Sequence, residues 1–214
     1  MIEAILWDND GVLVDTEGLY FRATRETLAR AGADLSLEQF IDFSLRRGQS
    51  IWEVLLPKLA AADIAGLRRE RHLLFSELLK AEPRVIPGAL ETVQAMGARF
   101  RMAVVTSSHR EHFDLAHRHS GMTAMFETIV ARADYQHSKP SPDPYLTALA
   151  RLGLAAERCI AIEDSERGLA AALAAGIRCL VIPHELTRTG DFRPAAAVLG
   201  SIAEVPAALA RLAK

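Results

Sequence analysis

The sequence predicts an α/β protein in which a Rossmann-like parallel sheet has helices on both faces, with a small all-helical cap inserted after the first strand. An apolar run over residues 2–7 is typical of a buried strand. Segments of helical periodicity then follow one another as far as Pro83. Beyond Pro83, short apolar runs alternate with helical segments, which is the pattern of a parallel sheet. We expect an α/β core of residues 1–15 and 84–214 and a helical cap domain of residues 16–83.

Helices in the cap are predicted from apolar residues at helical spacing. They cover residues 17–31, 37–45, 51–56 and 64–80. Gly32 is expected to end the first helix, because glycine readily adopts the left-handed conformation found after helices. Pro57 is expected to end or kink the third, since proline lacks the backbone N–H that a helix needs.

The core is predicted to alternate strands and helices after residue 87. Strands are expected at 101–106, 126–131, 159–162 and 179–182, and helices at 89–96, 107–119, 141–153, 166–175 and from 201 onward. Ser141 is expected to cap its helix with Pro142 in the first turn. Ser201 and Glu204 form a capping-box pattern before the last helix.

Composition restricts the possible partners. The chain has 214 residues, half of them apolar, a formal charge of -2 and a pI near 6.4, so nothing in its charge favours nucleic-acid binding. Cys159 and Cys179 lie in apolar runs and are expected to be buried reduced thiols, as in a reducing cytoplasm. The first strand starts at the amino terminus, which leaves no room for a signal peptide, and no apolar run approaches the roughly 20 residues of a membrane span. We expect a cytoplasmic protein, a monomer or weak homodimer, with neither membrane nor nucleic acid as a partner.

Polar side chains follow several of the predicted strands. They are Asp8 and Asp10, Thr106 and Ser107, Lys139, and Glu163 and Asp164. Ligands of open parallel sheets bind beyond the carboxyl ends of the strands. Two carboxylates close together at a buried strand end need a compensating cation, and Mg²⁺ prefers oxygen ligands. The sequence therefore predicts a metal-assisted site in which Asp8, Asp10 and Asp164 supply oxygens and Thr106 and Ser107 hold an anion. The oxygen of Asp10 would come from its carboxylate or from its backbone carbonyl.

Each of these residues also has a purely structural interpretation. Asp8 and Asp10 are also compatible with a simple turn before Gly11. Ser108 can cap the next helix with Glu111, and Ser165 can cap the helix after Asp164. A lysine in the position of Lys139 is most often an ordinary exposed residue. The prediction of a site therefore rests on the joint positions of these residues.

Four motifs resemble the signatures of the haloacid dehalogenase-like hydrolases. They are Asp8-Asn9-Asp10-Gly11-Val12-Leu13-Val14-Asp15-Thr16-Glu17, Val104-Val105-Thr106-Ser107-Ser108, Ser138-Lys139-Pro140-Ser141-Pro142-Asp143-Pro144-Tyr145 and Ile162-Glu163-Asp164-Ser165. The whole core is most similar to the beta-phosphoglucomutase-like phosphatases. The second aspartate, Asp10, is a feature of the phosphatase branch that the dehalogenases lack, so the resemblance argues against dehalogenation as the activity.

The resemblance implies a magnesium-dependent phosphatase acting on a small phosphorylated metabolite, such as a sugar phosphate. Asp8 would be the nucleophile that forms an aspartyl-phosphate. Asp10 would act first as general acid and then as general base. Thr106 and Lys139, with Ser107, would bind the transferring phosphoryl group. Metal ligands would come from Asp8, Asp10, Asp164 and the nearby Glu163.

The cap would close over the site and bring specificity residues to the substrate. Arg46, Arg47 and Gln49 lie between two predicted helices and resemble the family's specificity loop. The arginines would contact a second anionic group on the substrate, or else form a solvated charge pair. Tyr20 stands where mutases of the family carry a histidine, so simple hydrolysis is favoured over a phosphosugar mutase, the alternative activity.

Three other interpretations receive less support. Phosphorylated signalling receivers gather similar residues, but their aspartate follows a later strand. A catalytically silent binding protein on the same fold is disfavoured because every expected site residue is present. A zinc site among His109, His112, His117 and His119 is disfavoured because their spacing lacks an i, i+4 pair on a helix expected to be exposed. The sequence does not identify the physiological substrate.

Overall fold

The computed structural model describes residues 1–82 and 84–212. The strands in this part of the chain are β1 (Ala4–Trp7), β2 (Arg101–Val105), β3 (Thr128–Val130), β4 (Cys159–Glu163), β5 (Arg178–Val181) and β6 (Ala197–Val198). They form one parallel sheet in the order β3-β2-β1-β4-β5-β6. The predicted α/β fold is confirmed. The two-residue strand β6 was not predicted, because it is too short to show a periodic pattern.

Within residues 1–82 and 84–212, helices lie between the strands, except between β5 and β6, and a helix follows β6. They are α1 (Glu17–Arg30), α2 (Leu37–Phe40), α3 (Ile51–Leu55), α4 (Ala61–Ala81), α5 (Ala89–Gly97), α6 (Arg110–His117), α7 (Asp143–Leu152), α8 (Glu166–Ala174) and α9 (Val205–Leu212). In the described residues, none of these helices is both long and apolar enough to cross a membrane.

The central strand β1 shows why the sheet is covered on both faces. All four of its residues are fully buried. Ile5 and Trp7 belong to an apolar cluster with residues of α5, α6 and α9, whereas Ala4 and Leu6 belong to a cluster with residues of α7 and α8. Successive side chains of a strand point to opposite faces, so an uninterrupted apolar run supplies both layers of the core.

The chain between β1 and α5 is helical, and residues 17–81 are called the helical segment below. Helices α1 and α4 pack against each other, and α4 also packs against α6 of the α/β part. Leu19, Phe75 and Ala116 share one apolar cluster, which joins the helical segment to α6. The division into a core and a cap domain stays a prediction. Pro83, its boundary residue, lies outside the described residues, as do residues 213 and 214.

The second predicted helix has an unexpected form. The α-helical part ends at Phe40, and residues Ile41–Arg46 continue as a π-helix. Arg47 N–H accordingly donates to the carbonyl of Asp42, five residues earlier, at 3.1 Å. π-Helical turns are rare and are frequent at functional sites. This one faces α8, which places it over the carboxyl edge of the sheet.

Two predicted helix caps are wrong. Helix α7 begins at Asp143, and the residue before it is Pro142 rather than Ser141, although the Ser141 hydroxyl does accept a bond from Asp143 N–H at 3.3 Å. The capping box of Ser201 and Glu204 does not form, because the chain enters α9 through a 3₁₀ turn at Ile202–Glu204. In that turn Glu204 N–H donates to the Ser201 carbonyl at 3.2 Å instead.

Candidate active site

Three neighbouring strands bring polar residues to one edge of the sheet. Strand β1 pairs with β2 on one side and with β4 on the other, all parallel, so their carboxyl ends lie together. Asp8 follows β1, Thr106 follows β2, and Glu163 ends β4 with Asp164 directly after it. This edge is where parallel α/β sheets bind ligands.

Lys139 reaches this edge from the loop between β3 and α7. Its Nζ atom lies 2.9 Å from Asp8 Oδ1 and 2.6 Å from Glu163 Oε1, and it also donates to the Val105 carbonyl at 2.9 Å. The lysine is 5% exposed, Asp8 7% and Glu163 0%. An exposed lysine, the common outcome for this residue type, is therefore excluded here. The ammonium group uses all three of its hydrogens on these acceptors.

Charge in this cluster is unbalanced. Burial opposes the charged ammonium, but the carboxylates of Asp8 and Glu163 raise the pKa of Lys139 above its ordinary value, so the side chain is a cation. Burial and the negative charge of Glu163 raise the pKa of Asp8, against the opposing effect of Lys139. With Asp164 also buried, three carboxylates surround the ammonium group. Against the effect of burial, the pKa of His184, which lies 2.9 Å from Asp164, is raised to about 10 by its bonds to Asp164 and Glu17, but Glu17 takes up part of its charge. A cation at this position would remove the excess negative charge.

The donor atoms suit such a cation. One oxygen each from Asp8, Glu163 and Asp164 can be chosen so that all three lie within 4.8 Å of one another. A buried set of carboxylate oxygens fits a hard divalent ion such as Mg²⁺. Asp10 is not a member of this group, so its predicted part in metal binding is not supported by the positions of its carboxylate oxygens. Its backbone carbonyl stays a predicted ligand.

Asp10 is held instead by hydroxyl groups. Its Oδ2 atom accepts bonds from Thr106 Oγ1 at 3.0 Å and Ser108 Oγ at 2.9 Å, and its Oδ1 atom accepts one from the Thr16 hydroxyl. The predicted capping box of Ser108 and Glu111 is therefore wrong, because the Ser108 hydroxyl is engaged by Asp10. Helix α6 begins after His109 without a side-chain cap.

Glu163 is fixed by its own surroundings. Its Oε1 atom accepts a bond from the Tyr145 hydroxyl at 2.7 Å in addition to that from Lys139. The backbone of Gly168 packs directly on the carboxylate, and a Cβ atom at that position would lie 1.7 Å from Oε2. Ser165 caps α8 by accepting a bond from Gly168 N–H at 3.2 Å, as the sequence predicts.

Two adjoining cavities open onto the cluster. The smaller, of about 130 Å³, is lined by Asp8, Asp10, Glu17, Leu45, Ser107, Lys139, Asp164, Ser165 and Arg167. The larger, of about 330 Å³, extends between the helical segment and the α/β part. It shares Asp10, Glu17, Leu45, Ser107 and Arg167 with the smaller one and adds Tyr20, Arg71, His109 and Arg132 among others. Ser107 lines both cavities, whereas Thr106 lies beneath them, fully buried.

The predicted specificity residues lie away from these two cavities. Arg46 donates to Thr189 Oγ1 at 2.5 Å, and Arg47 pairs with Asp42 at 3.0 Å. Gln49 lines a third cavity of about 620 Å³, which shares Tyr20, Ser44, Arg71 and His109 with the larger of the two. The structure therefore does not bring these three residues together with Asp8.

Sequence reasoning missed three residues at this site. Glu17 lines both cavities, and burial raises its pKa to about 7 even though His184 opposes the shift. His184 Nε2 lies 2.6 Å from Glu17 Oε2 and 2.9 Å from Asp164 Oδ2. Arg167 lines both cavities as well. Glu17 is the last residue of the first motif, and Arg167 lies two residues after the end of the fourth, so the motifs could have pointed to both. The loop around His184 belongs to no motif.

The histidines of α6 are not on an exposed helix as predicted. His112 and His117 are 5% and 3% exposed. His112 packs on His72 and Phe75 of α4, with ring centroids 4.1 Å and 4.7 Å apart. Among the described residues, these histidines belong to no group whose ligand atoms converge on a metal position. The helix therefore uses them for packing.

Comparison with known proteins agrees with this geometry. The family of haloacid dehalogenase-like hydrolases matches residues 5–182. Protein CbbY of Cereibacter sphaeroides is 36% identical over 219 residues, covering 96% of this chain and 94% of CbbY. Fructose-1-phosphate phosphatase YqaB of Escherichia coli (strain K12) is 29% identical over 177 residues, covering 81% of this chain and 92% of YqaB.

A solved structure extends the likeness to three dimensions. A mutant of CbbY from Rhodobacter sphaeroides, in complex with xylulose-(1,5)bisphosphate, superposes with a TM-score of 0.84 at 34% identity, covering 95% of this chain and 96% of that one. The chain belongs to the haloacid dehalogenase-like hydrolases and is a phosphoric monoester hydrolase of that family.

Proposed function

We propose that the protein is a magnesium-dependent phosphatase that hydrolyses a small phosphorylated metabolite through an aspartyl-phosphate intermediate. The observation that carries the proposal is the buried ammonium of Lys139, held between Asp8 and Glu163 at the floor of a cavity that Asp10 also lines. Phosphoryl transfer depends on positioning and charge neutralisation, and this arrangement supplies both.

Asp8 is the proposed nucleophile. A carboxylate oxygen of Asp8 attacks phosphorus, and the bond from phosphorus to the substrate oxygen breaks. Asp10 donates a proton to that leaving oxygen, which departs as an alcohol. Asp10 then takes a proton from a water molecule as this water attacks phosphorus, so that the Asp8 carboxylate is restored and inorganic phosphate is released. The hydroxyl bonds from Thr16, Thr106 and Ser108 hold the Asp10 carboxylate in place for both proton transfers.

Lys139 and Ser107 are the proposed contacts to the phosphoryl oxygens, since both line the smaller cavity. Because all three ammonium hydrogens of Lys139 already have acceptors, the lysine would exchange its bond to Asp8 for one to a phosphoryl oxygen. Thr106 was predicted to share this role. Its hydroxyl is engaged by Asp10 and by Ser108 N–H, at 3.0 Å each, so we propose that it acts by holding this loop. Asp8, Glu163 and Asp164 would hold Mg²⁺, with the Asp10 carbonyl as a further predicted ligand. When bound, the ion would neutralise charge on the transferring phosphoryl group.

The larger cavity suits a leaving group that carries a second anion. Arg71 of α4 and Arg132 of the α/β part line it, and two guanidinium groups favour phosphate or carboxylate. The bisphosphate bound in the CbbY mutant is a ligand of that kind. Arg46, Arg47 and Gln49, the residues predicted from sequence, would reach the substrate only after a rearrangement of their loop.

Hydrolysis is proposed rather than mutase transfer because of Tyr20. This residue lies in the larger cavity, and its hydroxyl accepts a bond from Arg71. A tyrosine bonded in this way is a poorer proton donor or acceptor near neutral pH than the histidine of the mutases. Kinetics that require a bisphosphate activator would favour the mutase alternative instead.

The test is phosphate release from a panel of phosphorylated sugars, monophosphates and bisphosphates, with and without Mg²⁺. We expect magnesium-dependent release from the wild type. Asp8→Asn should reduce turnover at least about 10³-fold while circular dichroism and the melting temperature show a folded protein. Arg71→Ala should raise KM for bisphosphates more than for monophosphates, and the same comparison with Arg46→Ala and Arg47→Ala tests the sequence prediction. Full activity of Asp8→Asn would refute the proposed nucleophile.

A further inference from the structure

Arg167 connects the helical segment to the loop that carries the catalytic lysine. Its Nη1 atom donates to the carbonyl of Ser44, in the π-helix, at 2.9 Å. Its Nε atom donates to the carbonyl of Lys139 at 3.1 Å, and its Nη2 atom donates to the same carbonyl. One guanidinium thus bonds two backbone carbonyls that are 95 positions apart, residue 44 and residue 139.

This guanidinium lies beside both cavities and, in the part of the chain that the structure describes, has no acidic partner. Arg167 lines both the smaller and the larger cavity. Among the described residues, it forms no ion pair with a carboxylate. Burial lowers its pKa, yet an arginine remains protonated in proteins. The carbonyls of Ser44 and Lys139 therefore take the place of a counterion and fix the guanidinium plane.

Gly48 contacts the same group from the helical segment. A Cβ atom at Gly48 would lie 2.9 Å from Arg167 Cζ and 3.0 Å from its Nε atom. The backbone of Gly48 also has a φ of +62°, which favours glycine. The loop after the π-helix thus packs so closely on the guanidinium that a side chain at residue 48 would collide with it.

We propose that Arg167 is a positioning residue that holds the helical segment over the active site and ties its position to the loop of Lys139. The inference rests on the proposed function for its kinetic consequence only. When the helical segment moves away, the bond to Ser44 breaks and the guanidinium loses half of its acceptors. When the segment is held, the Lys139 carbonyl is fixed, and the lysine that pairs with Asp8 sits on a stationary backbone.

Hydrogen exchange of backbone amides in the ligand-free protein is the primary test. In Arg167→Gln we expect the amides of residues 41–50 to exchange at least about tenfold faster than in the wild type, because their segment opens more often. Amides of β2 should exchange at wild-type rates and serve as the internal reference. Equal rates in residues 41–50, or equal acceleration in β2, would overturn the proposal. If Arg167→Gln does not fold, Arg167→Met keeps an aliphatic side chain but donates no hydrogen bond to either carbonyl, and the same acceleration is expected.

A second variant approaches the contact from the other side. Gly48→Ala pushes a methyl group against the guanidinium and should accelerate the same amides. Gly32→Ala is its matched control, because Gly32 also has a positive φ, +78°, but a Cβ there would meet nothing within 4 Å. In the double variant Arg167→Gln/Gly48→Ala, the amides of residues 41–50 should exchange no faster than in the single variant with the larger effect. The reason is that both substitutions disrupt the same contact. Equal acceleration by Gly32→Ala, or additive effects in the double variant, would contradict the proposal.

Kinetics with p-nitrophenyl phosphate and Mg²⁺ then report the consequence. We expect Arg167→Gln to lower kcat about tenfold or more, because small displacements of catalytic groups are costly, with an unchanged magnesium requirement. If the amides of residues 41–50 exchange faster in Arg167→Gln but kcat is unchanged, Arg167 holds the helical segment and the proposed effect on catalysis is refuted. Absence of any phosphatase activity in the wild type would refute the proposed function and leave the exchange result standing.

Discussion

Lys139 Nζ lies 2.6 Å from Glu163 Oε1, although the two residues flank helix α7 and are 24 positions apart in sequence. Neither side chain has appreciable contact with solvent, with exposures of 6% and 0%. Each needs the other, because an isolated buried charge is far more costly than a buried pair. The pair therefore couples the geometry of the candidate active site to the stability of the fold.

Removing the ammonium group of Lys139 should lower both the stability of the fold and the phosphatase activity. We expect Lys139→Met to lower the free energy of unfolding by about 3–5 kcal/mol at neutral pH, because Asp8 and Glu163 are left buried without a counterion. Urea unfolding followed by circular dichroism measures this loss. It should diminish toward acid pH, where the carboxyl groups take up protons. Phosphatase activity should fall below detection in the same variant.

The control for this variant is Lys80→Met. Lys80 pairs with Glu77 at 2.8 Å, but the two side chains are 45% and 69% exposed. Its removal should change the free energy of unfolding by less than about 0.5 kcal/mol, as for other surface positions. If Lys139→Met were as stable as Lys80→Met, the ion pair would have no structural importance.

Gly168→Ala tests how tightly the Glu163 carboxylate is enclosed. The added methyl group would lie 1.7 Å from Glu163 Oε2, and the carboxylate is already held by Lys139 and Tyr145, so it cannot move aside easily. We expect a loss of at least about 1–3 kcal/mol by thermal or urea unfolding. Gly66→Ala, in the interior of α4 with its nearest contact at 3.8 Å, should instead stabilise by about 0.5–1 kcal/mol. Similar effects of the two substitutions would show that the contact can relax.

Magnesium should stabilise the folded chain, because the excess negative charge of the centre requires a cation. At a concentration 100 times its Kd, we expect Mg²⁺ to add about 2.7 kcal/mol to the free energy of unfolding, measured by unfolding with and without EDTA. Asp164→Asn should lose most of this increment, since it removes one of the three grouped carboxylates. K⁺ at matched ionic strength is the control. A wild type that melts at the same temperature with Mg²⁺ and with EDTA would contradict the metal assignment.

Much of the candidate active site was predictable because it depends on strand order and strand ends. Asp8, Thr106 and Glu163 each end an apolar run, and the carboxyl ends of parallel strands share an edge. The position of Lys139 followed from the resemblance rather than from any local pattern, since a loop lysine is exposed more often than not. The buried strand β1 was likewise predictable from its apolar run, and the helices of residues 17–81 from the helical spacing of their apolar residues.

The remaining contacts depend on long-range packing that one sequence does not encode locally. Ser108 has the pattern of a helix cap but bonds Asp10, 98 positions away. Arg46 belongs to the predicted specificity loop, yet it lies in the π-helix and donates to Thr189, 143 positions away. In both cases the local pattern competes with a tertiary partner, and the tertiary partner determines the conformation.

His117 gives a prediction for the pH dependence of stability. Its Nε2 atom contacts Asn9 Oδ1 at 2.7 Å and its Nδ1 atom contacts Ser120 Oγ at 2.9 Å, and burial lowers its pKa from 6.5 to about 4. Between these values the unfolded chain binds a proton that the folded chain does not, so stability is fully present above pH 6.5 and declines as pH falls toward 4. The decline from this one residue is about 3 kcal/mol. Between pH 7 and pH 4, the free energy of unfolding of His117→Gln, measured with urea, should fall by about 3 kcal/mol less than that of the wild type. His119→Gln, at an exposed position, is the control and should show the same fall as the wild type. Parallel pH profiles for wild type and His117→Gln would mean that His117 is protonated in the fold without cost.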